Sequence, residues 1–434
     1  MEYRKLKELA TISISNVDKK IAENEKTVRL CNFVDVYRNW AITENMIPNF
    51  MIASAKENEI EKYALHKGDV CITKDSETKD DIGMSTYIAD DIDGLVLGYH
   101  CALISPDKSV LDGKYLNAFL QTDFVRKFYE LNASGSGQRY TLSIDAIGEI
   151  PIPVISFEEQ KRKGELLSLI DRKIENNNKI NDNLAHYLND IYVHWFLQFD
   201  FPNKEGRPYK ASGGKLIWNE ELKRAIPVNW GIAKLGSIFT SERGISYSTR
   251  NISSGKGNPM INLANFAPGG GAYKSSGLKH FDGTYVSNKV LKPYDLVICN
   301  TQQTAIDFDK DIIGRAMLVP DIFDEDILSS HHVNVIHPHN PLLKEYLLFL
   351  FNSDCFHKYI SGHTNGTNIL GLVFSGVEDY KTEIPPDYVL ETFSAMVLKA
   401  EAIKSSILRE NRSLCSIRQF LMPMLMSGQA TIAD

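Results

Sequence analysis

Four clusters in the chain combine residue types that carry chemistry in other proteins, and each falls short of the spacing its chemistry needs. Gly269–Ser276, GGGAYKSS, has the glycines and lysine of a phosphate-cradling loop. Such a loop needs Gly-Lys-Ser/Thr, so that main-chain N–H groups and the lysine converge on one phosphate. Here Tyr273 stands directly before Lys274. Asp69, Glu77 and Lys79 have the composition of a metal-dependent nuclease, but the spacing is cramped, and the neighbouring Asp75, Asp80 and Asp81 read as a solvated acidic loop. His331 and His332 are adjacent, yet no nearby cysteine or clear carboxylate completes a metal site. A methyl-transfer enzyme needs a glycine-rich turn after its first strand and an Asn/Asp-Pro-Pro-aromatic motif. Asn258–Ile261, NPMI, does not meet this, and Ile384–Asp387, IPPD, reads as the lead-in to a helix. No Ser/His/Asp arrangement is readable from residue order.

Two small-residue loops remain: Asn132–Leu142, NASGSGQRYTL, and Gly362–Leu372, GHTNGTNILGL. Their glycines let the backbone approach a ligand closely. Each follows a helix of about four turns, Tyr115–Tyr129 and Tyr346–Ile360, and precedes a proline-marked run, EIPIP and EIPPD.

Those runs lead into two long helices. Phe157–Phe199 contains no proline and one glycine, Gly164. Ser156 and Glu159 have capping-box spacing. Apolar residues recur along one side at Leu166, Ile170, Ile174, Ile180, Leu184, Tyr187, Leu188, Ile191 and Trp195. About 40 residues at ~1.5 Å each make a rod of roughly 60 Å, and a rod with one apolar stripe needs a partner. Leu390–Ser427 supplies it, with Phe393, Val397, Ala400, Ile403, Ile407, Leu414, Ile417, Leu421 and Leu425 in the same pattern and Asp387 as a candidate N-cap. Both stripes break at polar residues, Asn177 in one and Glu410 with Asn411 in the other. Polar residues at such positions set register.

The chain has 434 residues, enough for two or three domains. A hydrophobic fraction of 43% can build cores, and the net charge of -7 excludes only a chain that is basic throughout. Cys31, Cys71, Cys101, Cys299, Cys355 and Cys415 form no CxxC pair, as expected of reduced cysteines in a cytoplasmic protein. MEYRKLKELA lacks the apolar core of a signal peptide, and no apolar run approaches a membrane span.

The loop, helix and run-in matches are part of a longer correspondence. Leu65–Ile72 answers Leu291–Ile298, and Gly98–Pro106 answers Ser330–Pro338, always in the same order. Ordered matches at a near-constant interval indicate a tandem duplication. The expected fold is α+β: two pseudo-symmetric globular domains of mixed strands and helices, separated by two long antiparallel helices that form a coiled-coil-like spacer. The expected segments are 1–155, 156–199, 200–229, 230–387 and 388–428, with 200–229 a Gly, Pro and Lys-rich connector. Antiparallel rods would place the globules at opposite ends.

The connector, FDFP followed by RPYKASGGKLIWNEELKRAIP and Trp230, resembles the central region of type I restriction-modification specificity subunits. Ile150–Gln160, IPIPVISFEEQ, resembles that family's lead-in to its helices, and Ser134–Leu142 the loop before it. The resemblance covers nearly the whole chain. It departs in the second run-in, which keeps only Glu391 of the Glu-Glu-Gln, and at Asn229, where glycine is expected. It implies a non-catalytic subunit of a multi-subunit methyltransferase/endonuclease. Each globule would be a target-recognition domain reading one half of a bipartite double-stranded DNA site, with the helices fixing the gap. Two methyltransferase subunits would dock on the helices, and motor/endonuclease subunits would join them. S-adenosylmethionine, ATP and magnesium would belong to those partners, and no membrane is involved. A self-contained DNA nuclease or modifying enzyme, and a duplicated protein-binding adaptor, are the competing readings.

Under that resemblance, phosphate contacts call for Lys, Arg, hydroxyls and main-chain N–H groups, and base contacts for Arg, Lys, Asn and Gln. In the first globule the candidates are Arg38, Asn39, Trp40, Lys74, Lys79, Ser136, Gln138 and Arg139. In the second they are Tyr247, Arg250, Tyr273, Lys274, Thr301, Gln302, Gln303, Arg315, Asn365, Thr367 and Asn368. The helix-pairing residues are Ile170, Ile174, Leu184, Leu188, Ile191, Val397, Ile403, Ile407, Leu414, Ile417 and Leu421.

Overall fold

The structure, a computed structural model, describes residues 2–137, 139–253, 255–303 and 310–432. It divides into two compact units, Met1–Asn176 with Asn411–Asp434, and Asn177–Glu410.

The central strands of each unit are apolar runs because both of their faces are covered. In the first unit, Val70–Thr73 lies beside Cys101–Pro106, with Cys101 opposite Thr73 and Ile104 opposite Val70. Val70, Ile72, Ala102 and Ile104 point into one core, and Cys71, Cys101 and Leu103 into another. The second unit repeats this with Leu296–Cys299 and Val333–Pro338. Leu296, Ile298 and Ile336 enter one core, and Val297, Cys299, Val333 and Val335 another. The next strand in each sheet keeps the same register: Ala10 faces Pro106, and Phe239 faces Pro338. Glu2–Lys5 pairs with Pro151–Val154, as Gly231–Lys234 pairs with Lys381–Ile384. The α+β class and the repeat are both visible in this topology.

The first long helix is Phe157–Tyr192, 36 residues, and the last is Asp387–Met426, 40 residues. Ser156 Oγ accepts the Glu159 amide at 3.2 Å, while the Glu159 carboxylate lies 2.9 Å from Lys163 Nζ. The first helix does not stay α-helical to Phe199. It widens into a π-turn over Val193–Leu197, where the Gln198 amide bonds the Val193 carbonyl, and Phe199 closes it with φ 65°. The aromatic residues there explain the change: Phe196, Phe199 and Phe201 all pack on Trp230. The stretch after it is more than a connector, because Leu216–Asn219 pairs with Arg224–Pro227 and both Phe201 and Ile226 are core residues. Asp387 lies inside the last helix and accepts a bond from Asn340, rather than capping from outside.

The two helices run antiparallel. Lys163 Nζ donates to the Leu425 carbonyl (2.8 Å), Asp171 lies 3.5 Å from Arg418, and Asn177 Nδ2 donates to Glu410 Oε2 (2.7 Å). Residue numbers rise on one helix as they fall on the other. The polar breaks of the two stripes therefore meet each other, and Asn177 is only 1% exposed. Ile170, Leu188 and Val397 are buried, and Ile174, Leu184, Ile191, Ile407, Leu414 and Leu421 are half-buried. Ile403 and Ile417 instead face outward, at 43% and 46% exposed. Each is one residue out of phase with a charged side chain that is more covered, Lys404 and Arg418. Polar residues thus take part of the inward face that an apolar-only stripe assigns to isoleucine. Asp171 shows the cost: burial pushes its carboxyl up to about 6, despite the pull of Arg418.

Candidate nucleic-acid interface

A corner forms in each unit where the doubly covered strand leaves its sheet. In the first, the Lys74 amide donates to the His100 carbonyl and the Leu142 amide to the Lys74 carbonyl (2.9 and 2.8 Å). In the second, Asn300 donates to His332 and Leu372 to Asn300, at the same two distances. Tyr99 donates to Val17 as His331 does to Ile245. Each corner holds a ring pair with centroids 3.9 Å apart, Tyr99 with His100 and His331 with His332.

The Gly-rich loop of each unit folds down as a hairpin onto this corner. Arg139–Thr141 pairs with Ser134–Ser136 and with Asp75–Ser76, placing Thr141 opposite Asp75. Ile369–Leu372 pairs with Thr364–Asn365 and with Thr301–Gln303, placing Gly371 opposite Thr301. Gly135 and Gly366 have φ of 131° and 111°, and a Cβ on either would collide with a carbonyl oxygen of its own hairpin, that of Arg139 or Ile369. This is why both loops carry glycine there. By register, Arg139 and Ile369 occupy the same position.

The side chains on this shared frame differ. In the first corner, Asp75 Oδ2 lies 2.7 Å from Lys74 Nζ, 2.6 Å from His100 Nδ1 and 3.2 Å from Arg139 Nη2. Burial alone raises the Asp75 carboxyl, but hydrogen bonds from Lys74, His100 and Thr141 outweigh it and hold the group well below the usual carboxylate range. Lys74 also lies over the Tyr99 ring, and Lys79 over Tyr140. An open cavity of about 570 Å³ borders the cluster, lined by Phe33, Tyr37, Asp75, Asp81, His100 and Arg139 among others. In the second corner the equivalents of Lys74 and Asp75 are Asn300 and Thr301. Thr301 Oγ1 donates to Asn300 Oδ1, and Asn300 Nδ2 bonds Asn334 Oδ1. Burial, then His331, Lys279 and Arg243, lower His332 to about 4, and burial and Arg243 also lower His331. The surroundings thus disfavour the charged form of both rings.

The structure sorts the sequence candidates. Arg139 and Lys74 meet at Asp75. Tyr247 stands beside the second corner, 5.4 Å from the His331 ring and 2.7 Å from Lys279 Nζ. Arg38, Arg250, Lys274, Asn365, Thr367 and Asn368 are at the surface. Ser136 and Gln303 lie in the two hairpin sheets, and Gln138 lies outside the described residues. Four candidates have structural positions instead. Trp40 is 7% exposed, with the Arg418 guanidinium 4.8 Å from its ring. Gln302 Oε1 accepts the amides of Ile312 and Ile313. Arg315 is 4% exposed and bonds the Asn352 carbonyl. Tyr273 lines a small cavity with Asn178, Glu401 and Lys404 of the long helices. Asn39 folds back onto the Asp35 carbonyl, and Thr301 is 8% exposed. Asp75 is no solvated loop residue: it is 6% exposed at the centre of the cluster. Asp69 is buried and caps the turn at His66.

Residues 1–186 match the family model for the type I restriction modification DNA specificity domain. The chain is 24% identical over 332 residues to the type I restriction enzyme MjaIX specificity subunit of Methanocaldococcus jannaschii, covering 74% of this chain and 70% of that one. Over these stretches the chain is similar to type I restriction-modification specificity subunits. The HindI specificity subunit of Haemophilus influenzae is 24% identical over 140 residues, 32% of this chain and 30% of that one. The fold is that of the type I restriction-modification S subunit from M. genitalium, with a TM-score of 0.54 at 14% identity over 98% and 95% of the two chains. Sequence reasoning had no marker for three corner residues. Asp75 was hidden in an acidic run, His100 lies far from its partners in sequence, and Ile369 is apolar. The hairpin repeat was the only signal that led toward them. Among the described residues no helix is long and apolar enough to cross a membrane, and no group of three or more His, Cys, Asp or Glu is placed to hold a metal.

Proposed function

We propose that each globular region reads one half of a split double-stranded DNA site, and that the paired helices fix the unread gap between the halves. The observation that carries this reading is the duplicated corner: one main-chain frame, built twice by equivalent hydrogen bonds, bearing unlike side chains. Two readers on one face of B-DNA stand about one turn, ~34 Å, or a multiple apart. A helix pair locked at Lys163–Leu425, Asp171–Arg418 and Asn177–Glu410 suits a fixed spacing.

In this reading the chain is non-catalytic. Two methyltransferase subunits dock along the helices, where Leu169, Tyr187 and Phe420 expose half or more of their apolar surface (51%, 61% and 65%). Motor/endonuclease subunits join that core. S-adenosylmethionine, ATP and magnesium bind to the partners. The test is co-expression with the cognate methyltransferase subunit in a methylation-free host, followed by mapping of methylated adenines. Two specified blocks around a constant unspecified gap are expected. A stable complex that methylates nothing would overturn the proposal, as would cleavage or methylation by the purified chain alone with magnesium and S-adenosylmethionine.

A further inference from the structure

We infer that Arg139 reads a guanine in the first half-site with Asp75 and His100 as its positioning residues, and that Ile369, at the equivalent place in the second region, meets a thymine methyl group. This rests on the half-site reading above.

Three observations carry it. The first is pre-organisation. An arginine that only neutralises a phosphate needs no fixed rotamer, and a carboxylate beside it weakens its attraction for the anion. Arg139 is paired with a carboxylate all the same. One end of its guanidinium, Nη2, lies 3.2 Å from Asp75 Oδ2, the oxygen that His100 Nδ1 also reaches at 2.6 Å. The side chain is nevertheless 56% exposed, so much of the planar fork faces solvent, with Tyr99 as a further neighbour. A fork held by a carboxylate yet this exposed suits bidentate bonding to guanine O6 and N7.

The second is the support behind it. Asp75 is 8% exposed at its side chain and is itself held by Lys74. A reading side chain must be fixed by residues whose own positions are locked.

The third is the internal comparison. A phosphate contact belonging to the shared frame would keep a cation at both copies of the position. The second copy has Ile369, 60% exposed at the hairpin edge. An exposed β-branched apolar side chain there offers a phosphate nothing, but it fits the thymine methyl, the apolar feature of the major groove. The buried support changes with it: where Asp75 holds Arg139, the neutral Thr301 hydroxyl bonds Asn300. Reader and support differ together between the copies, as a specificity position requires.

The test uses the full chain co-expressed with its methyltransferase subunit, comparing methylated motifs for wild type, Arg139→Ala, Arg139→Lys, Asp75→Asn and Ile369→Ala. Arg139→Ala should relax one guanine in the first block, with discrimination falling on the order of tenfold to a hundredfold, and leave the second block unchanged. Arg139→Lys keeps the charge but not the fork, and should relax the same position. Asp75→Asn should relax that position more weakly, and add little on top of Arg139→Ala. Ile369→Ala should relax a thymine in the second block alone. An unchanged motif with a uniform fall in methylation for the Arg139 variants would mark Arg139 as a phosphate contact and overturn the inference. Relaxation of both blocks by one substitution would also overturn it. Because Arg139 and Ile369 are exposed, their variants stay informative if Asp75→Asn does not fold. A wild-type chain that yields no split motif would defeat the half-site reading itself, and is distinguishable because the wild type is measured first.

Discussion

At the same bend of the chain, one unit of this protein holds Lys74, Asp75, His100 and Arg139 in a partly buried ionic cluster, and the other holds Asn300, Thr301, His332 and Ile369, with no carboxylate bonded to Thr301 among the described residues. The main-chain bonds beneath them are equivalent, as are the ring pair and the glycine that turns the hairpin. Backbone hydrogen bonding and φ > 0 turns thus fix the frame, while side-chain chemistry at three of these four positions diverges and the histidine is shared. A protein that must acquire new targets without losing its fold needs this separation.

The largest effect is expected at the buried carboxylate. Asp75→Ala leaves Lys74 covered and without its ion partner, a loss of roughly 3–5 kcal/mol. Thr301→Ala at the equivalent position loses one neutral bond, about 1 kcal/mol. Hydrogen–deuterium exchange resolved to each unit measures both, and equal losses would erase the difference between the corners. The hairpin glycines make the opposite claim. Gly135→Ala and Gly366→Ala should each cost on the order of 1–3 kcal/mol, alike in both units, because each is strained in the same way.

Acidification should separate the corners again. His332 is depressed to about 4 in the folded chain from an ordinary 6.5, so the unfolded state binds its proton first. Stability at that corner is therefore present above about 6.5 and lost as pH falls toward 4. Asp75 is held below its ordinary 3.8, so its contribution is present above that value and is lost only at lower pH. Between pH 6.5 and 4.5, protection corrected for intrinsic exchange should fall near His332 and hold near Asp75, and His332→Asn should abolish the fall. The smallest effect is expected between the helices. Asn177→Leu should change unfolding stability by less than about 1 kcal/mol, because Glu410 can turn to solvent, but it should loosen the register that a buried polar pair specifies.

The repeat, the two long helices and the polar break in each stripe were legible from spacing, because periodicity is local and survives in a single sequence. The corner was legible only as a loop. Arg139 drew notice for its type and its glycine neighbours. Asp75 did not, because its burial depends on His100 and Arg139 arriving from other strands and turns. The burial of Gln302 and Arg315 was hidden for the same reason: their types suit a groove, but their partners, Ile312, Ile313 and Asn352, lie elsewhere in the sequence. Ile403 and Ile417 fell outside the helix interface because charged neighbours occupy inward positions that an apolar-only pattern does not anticipate.

The most direct test of the central claim, that the two corners read separate half-sites on one shared frame, is to exchange residues 1–155 for the corresponding region of another specificity subunit and map methylation before and after. The account predicts that one block of the motif changes while the other block and the gap stay as they were. A change in both blocks, or no change in either, would contradict it.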